Sequence, residues 1–199
     1  MPSRWLRAGA AVVLATLAAC RTLPPAPPAG TAWEVRRPQL QAQTHFALRG
    51  RVAVAAGSEG FNANLRWTQE GVSSQVSLEG PLGVGGTHIT ASGDELTLVT
   101  SRGDRLDSQA AHAELTSHLG FDPPLSALRY WVLGVPDPAE PATEALDQTQ
   151  QRLTGLTQGG WQIDYQSYIT VGGAGALPAR LTLQRDSVRV RLLVDNWQL

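Results

Sequence analysis

The sequence predicts a mainly β chain with an α lid: an unclosed, half-barrel antiparallel sheet covered by short helices over a hydrophobic cavity. Three observations predict it. Short runs alternating apolar and polar residues recur before residue 100 and after residue 152, as strands with one buried and one wet face require. Gly, Asp or Ser bounds each run, the punctuation of a meander. Between the two strand-rich parts the apolar period lengthens to about four, so helices fall where a curved sheet needs a cover.

The elements follow in order. Thr31-Ala-Trp-Glu34 fits a helix capping box, and Pro38 is expected to break or restart that helix near its middle. Phe46, Leu48, Val52 and Val54 then alternate with Arg49 and Arg51. Phe61, Ala63, Leu65 and Trp67 stand against Asn62, Asn64 and Arg66, and Val72, Ser74, Val76 and Leu78 continue the phase. Thr87–Ala91 and Leu96–Thr100 are joined at Gly93-Asp94, making five strands. Ala111, Leu115 and Leu119 mark a helix capped at Asp107 or Ser108 and stopped at Gly120. Pro123-Pro124 opens a second helix through Leu128, Trp131 and Val132 to Gly134. Residues 135–147, rich in Pro and acidic residues, read as loop. About four strands close the chain. They are Arg152–Thr157, the run of Trp161, Ile163 and Tyr165 after Gly159-Gly160, and the runs holding Leu181 and Leu183, then Val188 to Val194.

Composition narrows the function. The chain has 199 residues, 16 of them basic, all Arg, against 17 acidic, for a net charge of −1. That balance excludes a chain built on nucleic-acid phosphates. With 42% hydrophobic and 17% charged residues it folds. One cysteine excludes an intramolecular disulfide or a multi-cysteine metal cluster.

That cysteine bears on location. Arg4 and Arg7 precede an apolar run, Ala8–Ala19, and then Cys20. The run is shorter than the ~20 residues a spanning helix needs, and reads as a secretion signal. Leu17-Ala-Ala-Cys20 resembles a bacterial lipobox, which implies cleavage before Cys20 and acylation of it. Residues 1–19 are then a lipoprotein signal peptide, 20–32 an acylated Cys with a Pro-rich linker, and 33–199 a single domain. Arg21 in place of Asp is compatible with the outer membrane. The processed chain loses two Arg and carries a net charge of −3.

Catalytic chemistry is not legible. The four His are 45, 88, 112 and 118, and the last two fall on different helix faces. No metal site is predicted. There is no nucleophile elbow, and Gly83-Val-Gly85-Gly86 lacks the Lys and Ser/Thr of a phosphate loop. Asp104, Asp107 and Asp164 have no motif pairing them. The expectation is a non-enzyme without cofactor.

One turn is unusual. Glu79-Gly-Pro-Leu-Gly-Val-Gly-Gly86 lies between strands and carries Leu82, flanked by Pro81 and Gly83, where a turn tip is normally polar. Leu82 either folds back over the core or probes a membrane or partner. Burying it in lipid contributes roughly 1.5–3 kcal/mol.

Taken together, these pieces resemble the outer-membrane lipoprotein receptor LolB family. The matching residues are the lipobox at Cys20, Gly80-Pro-Leu-Gly83, and Leu125-x-x-Leu128-Arg129-x-Trp131-x-Leu133-Gly134-x-Pro136. They continue with Trp161-x-Ile163-x-Tyr165-x-x-Tyr168, Leu177-Pro178 and Val194-Asp-Asn-Trp197. The resemblance implies a half-barrel with a helical lid, lipid-anchored at the outer membrane and facing the periplasm. It implies acceptance of lipoproteins from the periplasmic carrier LolA, and their insertion into the inner leaflet. It further implies that Leu82, by motif position, serves the insertion step. The chain departs from the enteric pattern in its longer Pro-rich linker and its lack of Lys.

The physics of that task agrees. About three acyl chains, ~45 methylenes at ~0.8 kcal/mol each, represent ~36 kcal/mol of exposure in water, so they must pass between apolar cavities. Candidate lining residues are Phe46, Leu48, Val52, Val54, Phe61, Leu65, Trp67, Leu96 and Leu98 from the first strands. Trp161, Tyr165 and Leu183 join from the last strands, and Leu128, Trp131 and Val132 from the lid. Plain core packing is the competing reading for each. The expected partners are a LolA-type carrier, client acyl chains and the outer membrane, for a monomer that binds no nucleic acid. The alternative function is an anchored carrier of free lipid or another small hydrophobic ligand.

Overall fold

The computed structural model describes residues 32–80, 86–93, 95–147 and 151–199. The signal segment, Cys20 and the linker to residue 31 lie outside the described residues, as do Pro81, Leu82 and Gly83. The first six strands are β1 (His45–Ala56), β2 (Glu59–Glu70), β3 (Ser73–Glu79), β4 (Gly86–Ser92), β5 (Glu95–Val99) and β6 (Arg105–Asp107). Helices α2 (Ser108–Leu119) and α3 (Leu125–Trp131) follow. The remaining strands are β7 (Ala142–Asp147), β8 (Arg152–Gln158), β9 (Trp161–Val171), β10 (Gly175–Arg185) and β11 (Val188–Gln198).

All eleven form one antiparallel, unclosed sheet in the order β6-β5-β4-β3-β2-β1-β11-β10-β9-β8-β7. Its middle seam pairs the first strand with the last, from Ala47 opposite Gln198 to Ala56 opposite Val188. The register shifts at Arg49/Gly50. A Cβ on Gly50 would stand 2.1 Å from the Leu193 carbonyl oxygen, so only glycine fits this close approach. Such a bulge bends and twists the sheet where it must curl around its contents.

Several expectations change. A first helix, α1 (Ala32–Gln41), runs unbroken through Pro38. Pro38 forfeits its own N–H and crowds the carbonyl one turn back, while buried Trp33 and Leu40 hold the helix at both ends. The indole of Trp33 donates to Glu144 at 2.6 Å, and Gln41 donates to the Pro136 carbonyl. Residues 142–147 are strand rather than loop, and Arg105–Asp107 adds a sixth early strand. Both are short edge strands with mostly exposed positions, so neither shows an apolar period of two. Val72 sits in the β2–β3 turn, 72% exposed, outside the strand phase. Asp107 occupies the N-cap of α2 without a capping bond. Its carboxylate accepts from Thr97 and pairs with Arg105 instead.

Candidate functional site

The concave face of the sheet is closed by α2, α3 and the turn between them. Gly120 ends α2 at φ 75°, its N–H donating to the Thr116 carbonyl. The chain then passes through Phe121, Pro123 and Pro124, and Leu128 N–H donates to the Pro124 carbonyl to start α3. Gly134, at φ 78°, turns the chain away.

Polar bonds fix the lid to the sheet. Trp131 donates its indole N–H to the buried side chain of Gln158 on β8 at 2.8 Å. Gln158 also accepts from Asp137 N–H and donates to the carbonyls of Asp137 and Glu140. Tyr165 donates to the Trp131 carbonyl at 2.9 Å. In the same last turn of α3, Arg129 donates to the Gly71 carbonyl in the β2–β3 turn at 3.2 Å.

Under this lid lies a cavity of about 120 Å³ lined only by aliphatic, aromatic and proline side chains. The sheet supplies Val52, Val54, Phe61, Leu65 and Trp67 from β1 and β2, with Val76, Leu78 and Ile89 beside them. The far half supplies Trp161, Leu183, Val190 and Leu192. The lid contributes Leu119, Phe121, Pro123, Pro124, Leu125, Leu128 and Val132. The only polar groups on these side chains are indole N–H groups, and the buried one of Trp161 has no hydrogen-bond partner among the described residues.

Of the residues singled out from the sequence, Val52, Val54, Phe61, Leu65, Trp67, Leu128, Val132, Trp161 and Leu183 line this cavity. Six do not. Phe46 and Leu48 are buried elsewhere in the core, Phe46 packing on Trp67 and Trp197 at ring separations of 6.0 and 5.7 Å. Leu96 and Leu98 are core residues of β5 that face neighbouring hollows. Trp131 and Tyr165 hold the lid through the bonds above. Strand phase says which face a residue points to, not how far along the barrel it lies. The candidate lining left out Val76, Leu78, Ile89, Leu119, Phe121, Pro123, Pro124, Leu125, Val190 and Leu192; Pro123-Pro124 was legible only as a helix opening, and a Phe beside a Pro pair over an apolar sheet face was the available signal.

A second hollow of about 570 Å³ adjoins the first and shares Phe61, Leu78 and Leu119 with it. It is rimmed by Gly80, Thr100, Arg102 and Glu114, so the apolar space opens beside the end of β3.

Behind the lid, Tyr165 and Tyr168 pack with ring centroids 6.1 Å apart. Burial pushes the Tyr165 hydroxyl well above the usual tyrosine range, and neighbouring Tyr168 adds to it. Tyr168 is pushed up chiefly by burial, opposed by Arg152 and Arg36. Arg36, which donates to the Ala176 carbonyl, is lowered mainly by desolvation.

Comparison with known proteins bears on this arrangement. Residues 44–197 match the family model described as outer membrane lipoprotein LolB. An outer-membrane lipoprotein LolB of Nitrosococcus oceani is 35% identical over 98% of this chain and 99% of its own length. One from Alkalilimnicola ehrlichii is 33% identical over 98% and 97% respectively. Among solved structures, a LolA superfamily protein from Nitrosomonas europaea superposes with a TM-score of 0.51 at 11% identity. It covers 85% of this chain and 94% of its own, a likeness of fold. A DUF1329 family protein from Desulfovibrio piger superposes at 0.57 with 7% identity, over 83% of this chain and 90% of its own.

Proposed function

This chain belongs to the outer membrane lipoprotein LolB family, and we propose that its lidded cavity receives the acyl chains of client lipoproteins from a LolA-type carrier and passes them to the outer membrane. The observation that carries the reading is the cavity's lining, which offers almost nothing but hydrocarbon and aromatic surface. An acyl chain presents no polar pattern to read, so an apolar and deformable wall is what it needs. Its volume of about 120 Å³ falls below the ~300–1,000 Å³ of ordinary ligand pockets. Uptake therefore spreads the lid, and the closed state keeps water off the surface when no client is bound.

Each methylene moved from water into such a wall gains about 0.8 kcal/mol. Because carrier, receptor and bilayer all provide apolar surroundings, direction comes from the differences among them. The receptor reading places this chain between carrier and bilayer in affinity. It acts as a monomer held by acylated Cys20, with residues 33–199 reaching into the periplasm on the Pro-rich linker. Leu82, two residues along the chain from Gly80, biases the client toward the bilayer.

The test uses a Cys20→Ala chain mixed with carrier loaded with labelled triacylated lipoprotein. Label found on this chain, without return to empty carrier, is the expected result. Label that stays on the carrier while free phospholipid binds this chain would replace the reading with that of a lipid carrier.

A further inference from the structure

The convex face of the sheet carries charge that its architecture does not need. Across the four central strands, Arg49, Arg51, Arg66, Arg180, Arg189 and Arg191 all project outward and are exposed. Only Arg51 and Arg66 have acidic partners there, Asp195 at 3.0 Å and Glu79 at 3.2 Å. Among the described residues the other four form no ion pair. Arg49 and Arg66 stand directly opposite each other across the β1–β2 ladder, a like-charge pairing that costs a sheet stability. A wet face selected for stability alone would alternate sign, in a chain that after processing is net acidic.

Three of these arginines border a groove of about 670 Å³. Arg51, Arg180 and Arg191 form its rim, and the short side chains of Ala53, Asn62 and Thr182 lie between them. Arg51 pairs in register with Leu193, and Leu193 with Arg180. The rim thus spans three neighbouring strands about 4.8 Å apart. Forked guanidinium groups at that spacing suit phosphate oxygens, which they bind bidentately.

The groove also has a fixed relation to the end of β3. Glu79, the last residue of β3, is opposite Asn64, and Asn64 is opposite Arg51. One cross-strand row therefore runs from the end of β3 to the groove's rim.

We propose that this groove binds the phosphodiester headgroups of anionic phospholipid, seating the convex shoulder of the barrel on the bilayer with the paired ends of β3 and β4 beside it. The proposal rests on the reading of an outer-membrane lipoprotein only for the nearness of a bilayer. The charge complementarity and the shared row supply the rest.

The test reconstitutes the mature acylated chain into vesicles of phosphatidylcholine alone or with three-tenths phosphatidylglycerol. A dye on Gln162→Cys, on the outer face of β9, reports energy transfer to acceptor lipids in the bilayer. Transfer is expected to rise with phosphatidylglycerol and to fall in 0.5 M salt. Arg180→Gln with Arg191→Gln should weaken that state about 25-fold, fivefold per charge removed. Arg180→Lys with Arg191→Lys keeps the charge and should restore much of it, which separates the effect from misfolding. Equal transfer in both vesicle types, or no response to the Gln pair, overturns the proposal. Inorganic phosphate acting at micromolar concentration without anionic lipid would mark a soluble-anion site and overturn it too. So would a Gln pair that slows loading from the carrier at unchanged distance from the bilayer, which would mark an acidic protein partner. Client delivery measured in the same vesicles keeps the two readings apart, since docking without delivery fails the receptor reading and leaves this one standing.

Discussion

The side chain of Gln158 on β8 accepts the indole N–H of Trp131 on α3 at 2.8 Å, with both residues buried. The same amide bonds the Asp137 N–H and the carbonyls of Asp137 and Glu140, so all its capacity facing the lid is used. Gln158→Leu strands the Trp131 and Asp137 N–H groups and the Asp137 carbonyl in a buried site, while the Glu140 carbonyl lies at its partly buried edge. At about 1–3 kcal/mol per buried orphan, partly relieved by relaxation, the expected loss is about 3–5 kcal/mol. A urea midpoint close to that of the parent chain would mean the node contributes little.

The tyrosine pair behind the lid predicts an alkaline limit. Both hydroxyls are held neutral by burial, with folded-state pKa values above the unfolded value near 10. The folded chain then keeps protons that the unfolded chain releases. This contribution to stability is fully present below about pH 10 and is lost as pH climbs toward the folded values. The slope approaches about 1.4 kcal/mol per pH unit for each tyrosine. Unfolding free energies measured from pH 8 to 11 should stay level at first and then fall. Tyr168→Phe should halve the slope above pH 10.

Arg129 ties the last turn of α3 to the β2–β3 turn through the Gly71 carbonyl, while its guanidinium lies 4.3 Å from the Tyr130 ring centroid. The bond is partly solvated, so Arg129→Leu should cost only about 1–2 kcal/mol of stability. Its larger effect should fall on opening. An apolar fluorescent probe should enter the cavity several-fold faster in stopped-flow mixing. An unchanged entry rate would show that the lid opens from its other end.

The cavity itself can be filled. Val132 is 2% exposed and faces the space between lid and sheet. Val132→Phe occupies part of the 120 Å³ without adding a polar group. Overpacking costs about 1–3 kcal/mol if the lid must shift, yet acyl acceptance from the carrier should drop at least tenfold. A folded Val132→Phe chain that accepts label at the parental rate would place the acyl chains elsewhere, the 570 Å³ hollow being next in line.

How far the sequence carried this picture depended on the kind of signal. Phe61, Leu65 and Trp67 announced both their strand and their inward face, because alternation with Asn62, Asn64 and Arg66 leaves one choice of phase. The lid helices were legible from Gly120, Pro123-Pro124 and Gly134. Edge strands β6 and β7 were not, since one-sided pairing and exposure remove the apolar pattern. Depth along the barrel was not legible either. Phe46 and Phe61 share a phase, but only Phe61 reaches the cavity, for strand stagger is set by long-range pairing such as β1 with β11. The arginine groove was invisible for the same reason: Arg51, Arg180 and Arg191 meet only once the first and last strands are joined.

Leu82 carries the last prediction. Its turn joins Glu79 and Gly86, which pair across β3 and β4, and Gly80 at its base rims the larger hollow. An apolar side chain there has an energetic use at a bilayer, where its burial yields roughly 1.5–3 kcal/mol. That is too small to anchor a protein and large enough to favour one orientation about tenfold or more. Leu82→Glu replaces the gain with the cost of burying a charge, and alters none of the described lining residues. Acceptance from the carrier should therefore proceed at the parental rate, while release into liposomes slows at least tenfold and label accumulates on this chain. Leu82→Phe, apolar and larger, should release normally. Should Leu82→Glu deliver to liposomes as the parent does, the turn has no part in insertion. Should it fail instead to accept label, Leu82 belongs to the docking of the carrier.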